Sequence, residues 1–157
     1  MNMNKHSFTV GIPFYIKTNP QYFDMAIKSI INQTILPNKV HLIQDGAIND
    51  NLCKIIDKYI KRYPKLIELI ELPKKGLPYA LNRSIQICKT KYYARMDSDD
   101  ISDQDRFKVQ LDYLDKNPKI EILGSWAIEF EKNHLANDSY IHKTPNDIIK
   151  IKKYLHY

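Results

Sequence analysis

Two spacings of apolar residues alternate along this chain and lay out its elements. Phe8-Thr9-Val10-Gly11-Ile12-Pro13 is a short apolar run that reads as a strand stopped by Pro13. Phe23, Ala26, Ile27, Ile30 and Ile31 follow at i, i+3, i+4, i+7 and i+8, the stripe of an amphipathic helix. Residues 40–43 predict a second strand ending in the turn signal Gln44-Asp45-Gly46, and Leu52, Ile55, Ile56, Tyr59 and Ile60 repeat the helical stripe. A third strand over 66–72 is broken by Pro73, and a third helix follows with Leu77, Ala80, Leu81, Ile85 and Cys88 inward. Residues 91–96 read as a fourth strand entering Asp97-Ser98-Asp99-Asp100. Asp103 is placed to N-cap a helix carrying Phe107, Leu111 and Leu114 as far as Asn117-Pro118. Residues 120–130 are strand-like, and Ile148, Ile151 and Leu155 suggest a last helix.

Strand and helix in strict alternation predict an α/β fold, a Rossmann-like, mostly parallel sheet with helices on both faces. No repeat or linker interrupts it, so residues 1–157 read as a single domain. Right-handed crossovers bring the C-terminal ends of the strands to one rim, where ligands of such sheets bind. The rim receives Pro13, Phe14 and Tyr15 from the first strand and Asp45 from the second. Lys74, Lys75 and Gly76 follow the third, and Asp97, Ser98, Asp99 and Asp100 follow the fourth.

Those residue types suit a nucleoside diphosphate held through a divalent cation. An aromatic ring can pack on a base, a carboxylate can accept hydrogen bonds from base or ribose, and a carboxylate-held hard cation can grip a diphosphate. Crowded carboxylates repel one another, and a cation relieves the repulsion. An Asp-rich turn also arises at helix N-termini through the helix dipole. Asp100 and Asp103 suit that role, whereas Asp97 and Asp99, at the strand exit, suit metal and ribose. The four glycines, Gly11, Gly46, Gly76 and Gly124, are too far apart for a glycine-rich phosphate loop, so a cation and lysines would have to do the gripping.

Composition narrows the class. With 157 residues, 43% hydrophobic and 27% charged, the chain can bury a core as a soluble domain. No apolar run approaches the roughly 18 residues that span a bilayer, and residues 1–7 lack the apolar stretch of a signal peptide, which predicts a cytoplasmic protein. The net charge of +6 is spread out, without the basic and aromatic interleaving of a nucleic-acid platform, so nucleic acid is not a predicted partner. Lys150, Lys152 and Lys153 suggest a peripheral contact with the inner face of the membrane. Cys53 and Cys88 fall beside apolar helical positions and read as buried reduced thiols; the five histidines are too scattered for a zinc site.

Six fragments carry a family resemblance. They are Ala26-Ile27-Lys28-Ser29-Ile30-Ile31-Asn32-Gln33-Thr34, Asp45-Gly46, Gly76-Leu77-Pro78-Tyr79-Ala80-Leu81-Asn82, Ala94-Arg95-Met96-Asp97-Ser98-Asp99-Asp100-Ile101, Arg106-Phe107 and Asn117-Pro118. Across residues 8–128 the chain resembles family-two glycosyltransferases of the GT-A fold, especially bacterial enzymes of capsule, O-antigen and exopolysaccharide synthesis. The resemblance implies an inverting, metal-dependent transfer of a sugar from a nucleotide-sugar, a UDP-sugar, to a saccharide or lipid-linked saccharide acceptor.

By that resemblance, Asp97-Ser98-Asp99 is similar to the family's DxD motif. It implies Asp99 on Mn²⁺ or Mg²⁺ bridging the donor's diphosphate, with Asp97 at the ribose or a metal-bound water and Ser98 between them at the donor. Pro13, Phe14 and Tyr15 match the loop that frames the nucleobase, Asp45 an acidic contact to base or ribose, and Lys75 with Gly76 the loop closing over the nucleoside. Arg95 reads either as a partner of the Asp cluster or as a surface arginine on an edge strand. Many relatives carry two acidic residues where this chain has Gln44-Asp45, and relatives continue well past its length. Residues 8–128 are thus expected to be the nucleotide-sugar-binding region and 129–157 the start of an incomplete acceptor-side region. The catalytic base is unassigned, since Glu129, Glu131 and Asp138 have no distinguishing spacing. The alternative is a non-catalytic nucleotide-binding or interaction module of the same fold. A phospho-acceptor receiver would need an acidic pair where Pro13-Phe14 stand.

Overall fold

The computed structural model describes residues 6–129 and 140–144. In chain order it forms β1 (Phe8–Phe14), α1 (Pro20–Ile31), β2 (Lys39–Asp45), α2 (Asp50–Arg62), β3 (Ile67–Leu72), α3 (Leu77–Ile87), β4 (Tyr92–Arg95), α4 (Arg106–Lys116), β5 (Ala127–Glu129) and β6 (Tyr140–His142). The chain divides into two units, Met1–Tyr113 and Leu114–Tyr157. The division falls within α4. In the second unit, β5 and β6 pair antiparallel.

The first unit holds a sheet of order β3-β2-β1-β4, every pair parallel. All seven residues of β1 are buried, because neighbours flank the strand and helices cover both faces. Phe8, Val10, Ile12 and Phe14 share a core with Phe23, Ile27 and Ile30 of α1, Leu52 and Ile56 of α2, and Phe107 and Leu111 of α4. Ring pairs Phe8–Phe107 and Phe14–Phe23, each 4.7 Å between centroids, close it. Burial of each such side chain contributes roughly 1.5–3 kcal/mol. The opposite face belongs to α3, where Gly11 faces Tyr93 and Ser84 bonds both His41 and Tyr93. Helices therefore cover both faces of a parallel sheet, as the alternation predicts.

Side-chain caps set the helix starts. Asn19 accepts from the N–H groups of Gln21 and Tyr22 ahead of Pro20, and Asn49 accepts from Leu52 N–H. Asp24 then fastens α1 to α2. It accepts from Lys58 Nζ at 2.7 Å and Tyr59 Oη at 2.9 Å, and pairs with Lys28 at 2.6 Å. Burial pushes the Asp24 carboxyl up, but these donors outweigh it and bring it from 3.8 down to about 2. Burial and the bond to Asp24 push the Tyr59 hydroxyl up. A depressed carboxyl contributes stability that is complete above its unfolded pKa of 3.8 and is lost as pH falls towards 2. The full shift would be worth ~2 kcal/mol, but both lysines are half exposed and water screens them. Asp24→Asn is expected to cost about 1 kcal/mol at neutral pH and little near pH 2, read from urea midpoints. Equal losses at both pH values would show that ion pairing is not the source.

Several expectations are corrected. Pro13 does not stop β1, which runs to Phe14. Gly11 C=O accepts from Met96 N–H, so the polar groups of alternate residues face β4. Pro13 lies two residues on, past the last β1–β4 pair, Gly11↔Arg95, where no ladder donor is missed. On α3 the buried residues are Ala80 and Ser84, while Leu77 and Ile85 are exposed. Cys53 is exposed on the outer side of α2 and Cys88 is only half-buried; both are free thiols. Asp103 does not cap α4, which starts at Arg106; its carboxylate and carbonyl instead accept from Asp105 and Arg106 N–H in the preceding turn. Among the described part of 120–130, only Ala127–Glu129 is strand, and Ile120 closes a turn on Asn117. The last predicted helix and Lys150, Lys152 and Lys153 lie outside the described residues. Among the described residues no helix is long and apolar enough to cross a membrane.

Candidate functional site

At the C-terminal rim of the sheet lies a crevice of about 240 Å³. Its wall is formed by Pro13, Phe14 and Tyr15 leaving β1, Asp45 ending β2, Leu77 and Ala80 opening α3, and Arg95, Asp97, Ser98 and Asp99 leaving β4. Seven of the predicted site residues converge there, Pro13, Phe14, Tyr15, Asp45, Asp97, Ser98 and Asp99. The reason is topological: parallel strands deliver their exits to one edge.

Lys75 and Gly76 stand beside the crevice rather than in its wall. Their backbone N–H groups donate to the Asp45 carboxylate, Lys75 at 2.7 Å to Oδ1 and Gly76 at 3.1 and 3.0 Å to the two oxygens. Gly76 is the N-cap of α3 and takes φ +88°, a left-handed conformation that glycine adopts without a Cβ penalty. Asp45 therefore pins the entry of α3 to the end of β2, with negative charge at the positive helix end. It also retains acceptor capacity towards the crevice. The Lys75 ammonium lies 4.8 Å from the Tyr79 ring centroid.

The acidic turn is ordered by two arginines: Arg95, already a candidate partner of the cluster, and Arg106, which the sequence marks only through the Arg106-Phe107 fragment. Arg95 forks onto Asp97, with Nη2 2.9 and 3.0 Å from the two oxygens and Nε at 3.1 Å from Oδ1. Both readings of Arg95 hold, since it partners the cluster and sits on the edge strand β4. Arg106 lies behind the turn, donating to Arg95 C=O at 3.0 Å, Gln110 Oε1 at 3.3 Å and Met96 Sδ at 3.3 Å. Burial pulls the Arg106 guanidinium down, against the charges of Asp100 and Asp97. Burial pushes the Asp100 carboxyl up, and the charges of Asp97 and Asp99 push it further, against Arg106 and Arg95. The segment after the turn is tied to α1: Ser102 N–H donates to Ser29 Oγ at 3.0 Å, Gln33 Nε2 donates to Asp103 C=O, and Thr34 N–H donates to Gln104 C=O at 3.1 Å. A signal for this existed, because Ser29 and Gln33 are polar at i and i+4 beside the buried Ile30.

Of the late acidic candidates, Glu129 is exposed on β5 and lies 3.4 Å from His142 of β6, while Glu131 and Asp138 are outside the described residues. Among the described residues, no group of three or more His, Cys, Asp or Glu side chains is disposed to hold a metal.

The sequence model of Glycosyl transferase family 2 matches residues 9–156. The chain belongs to glycosyl transferase family 2. It is 35% identical, over 98% of its length and 56% of the relative's, to the UDP-Gal:alpha-D-GlcNAc-diphosphoundecaprenol beta-1,3-galactosyltransferase of Escherichia coli. It is 29% identical to the amylovoran biosynthesis glycosyltransferase AmsE of Erwinia amylovora, over 90% of this chain and 53% of that one. The family 2 chain spans about half the length of these curated relatives. Among solved structures it is similar to S. aureus TarS 1-349 in complex with UDP-GlcNAc, with TM-score 0.61 and 21% identity over 71% of this chain and 32% of that one. It is also similar to the mannosyltransferase PcManGT from Pyrobaculum calidifontis in complex with GDP-Man and Mn²⁺, with TM-score 0.52 and 19% identity over 60% and 28% of the two chains. At such identities the likeness shows the shared GT-A fold of this family 2 chain.

Proposed function

We propose that this chain is the nucleotide-sugar-binding part of a polysaccharide-building glycosyltransferase. The enzyme would transfer a sugar with inversion from a UDP-sugar to a saccharide or lipid-linked saccharide. The observation carrying this reading is the crevice, where one edge of the sheet joins the Tyr15 ring, the Asp45 carboxylate and the Asp97–Asp99 turn. The galactosyltransferase relative, named for UDP-Gal and a diphosphoundecaprenol-linked sugar, supports the donor and acceptor classes. TarS in complex with UDP-GlcNAc supports the same fold as a frame for a UDP-sugar. A lipid-linked acceptor would draw the protein to the cytoplasmic face of a membrane.

The acidic turn suits Mn²⁺ or Mg²⁺. Asp97 and Asp99 reach the same crevice, and crowded carboxylates on one turn repel one another until a cation relieves them. Few protein carboxylates, with the remaining ligands coming from phosphate oxygens and water, match how these ions bind nucleotides. Asp99 and Asp97 would hold the ion, whose chemistry is to stabilise the departing diphosphate.

The chain's own residues do the positioning. Tyr15, partly exposed at the β1 exit, offers a ring face to the base. Asp45, with its bonds to Lys75 and Gly76, holds the α3 entry so that Leu77 and Ala80 close the apolar side. Arg106 and the Ser29–Gln33 pair keep the turn from drifting under its own charge.

Calorimetric titration of UDP into the protein tests this reading. Binding is expected with Mn²⁺ or Mg²⁺ and roughly tenfold weaker or absent in EDTA. Equal affinity with and without metal, or no binding at all, would remove the metal-assisted donor site. Absence of donor hydrolysis or transfer alongside metal-dependent binding would favour the non-catalytic module.

A further inference from the structure

The guanidinium of Arg95 stands on the crevice wall, forked onto a carboxylate of the acidic turn. Its three short contacts take up both oxygens of Asp97, the same carboxylate that faces the crevice beside Asp99. The pair is open to water, with side chains 53% and 42% exposed. Its main chain, by contrast, is fixed: Arg95 pairs with Gly11 in the sheet, and its carbonyl accepts from Arg106. Only the side chain is free to move, and it already lines the crevice.

We propose that Arg95 is an exchangeable counter-ion. It holds Asp97 as seen here and passes to the donor's diphosphate once a cation claims that carboxylate. This rests on the donor-site reading above. An exposed carboxylate pair is weak enough to be displaced, and the planar fork that fits a carboxylate fits a phosphate equally well. A cation arriving alone must displace the guanidinium without recompense, whereas with the nucleotide present the freed fork gains a new partner. Arg95 therefore couples the two ligands, each raising the affinity for the other by the same factor.

The test follows Mn²⁺ by electron paramagnetic resonance and UDP by calorimetry, in wild type, Arg95→Gln, Arg95→Lys and, away from the crevice, Arg83→Gln. With Arg95→Gln, Mn²⁺ alone is expected to bind up to about fivefold more tightly, while UDP at saturating Mn²⁺ binds roughly tenfold more weakly. Arg95→Lys keeps the charge and loses the fork, so its Mn²⁺ affinity should fall between those of wild type and Arg95→Gln, and its UDP affinity should fall below that of wild type. Arg83→Gln should move neither affinity. The proposal is overturned if Arg95→Gln leaves Mn²⁺ affinity unchanged or lower, or leaves UDP affinity unchanged. It is overturned equally if Arg95→Lys matches wild type throughout, which would make Arg95 a fixed charge. A wild type that binds Mn²⁺ and UDP independently sinks the exchange alone; one that binds neither sinks the donor-site reading with it.

Discussion

Asp99→Asn is expected to weaken metal-assisted UDP binding by roughly a hundredfold or more, given that outer partners of metal ligands alone are worth 10–100-fold. The substitution keeps the size of the side chain and its ability to accept a hydrogen bond. It removes the negative charge that a hard cation requires. Asp99 is exposed on the crevice wall, so the fold should hold within about 0.5 kcal/mol of wild type. Part of the upward push on Asp100 comes from the charge of Asp99, so the Asp100 carboxyl should titrate lower in the variant. The useful comparison is Asp103→Asn, which removes the same charge a few residues on, where the carboxylate serves a local turn. That variant should keep metal-assisted binding. If Asp99→Asn and Asp103→Asn lose UDP affinity alike, the effect is bulk charge and the turn is not a metal site.

The contrast between those two aspartates also shows what can be read from a sequence. Strand exits are legible because period and polarity mark where each strand ends, and parallel topology then sends those ends to one edge. Pro13, Phe14, Tyr15, Asp45, Asp97, Ser98 and Asp99 meet in the crevice for that reason. The role of Lys75 is less legible, since its contribution at the rim runs through its backbone N–H to Asp45, and a backbone donor carries no residue signature. On α3 the apolar spacing misplaced the inward face, because the sheet beneath it is partly polar and selects Ser84 over Ile85. The exposed Cys53 follows the same logic: it is adjacent to the buried Leu52, yet one residue turns a helix position by more than a quarter of a turn. Within 120–130 the strand-like composition misleads: Ile122, almost wholly exposed, has no ladder partner among the described residues, and without one an isoleucine does not make a strand.

Gly11→Ala should be among the most damaging single-methyl changes in the first unit, costing about 3 kcal/mol from overpacking and a lost buried hydrogen bond together. A Cβ built at Gly11 would lie 1.7 Å from Tyr93 Oη and 2.5 Å from its Cζ. The tyrosine lies across β1 at that point, and its hydroxyl donates to Ser84 Oγ at 2.9 Å, with His41 Nδ1 2.9 Å from the same oxygen. Ser84 and His41 are buried, so displacing Tyr93 leaves polar atoms without water to replace it. Burial also pulls the His41 imidazole down, against the charge of Glu68, so a vacated hydroxyl would not readily be answered by a proton on the ring. The clash alone predicts destabilisation; the network predicts where it spreads. Tyr93 stands two residues before Arg95, and Ser84 is one helical turn beyond Ala80, so a shifted tyrosine disturbs two walls of the crevice at once. Gly11→Ala should therefore lower the urea midpoint and also weaken UDP binding under conditions where the protein remains folded. Combining it with Tyr93→Leu, which empties the space above Gly11, should cost less than the two single changes summed, as contacting residues require. Additive losses, or a Gly11→Ala protein within about 0.5 kcal/mol of wild type, would mean that the close approach of Tyr93 is not what demands glycine at this position.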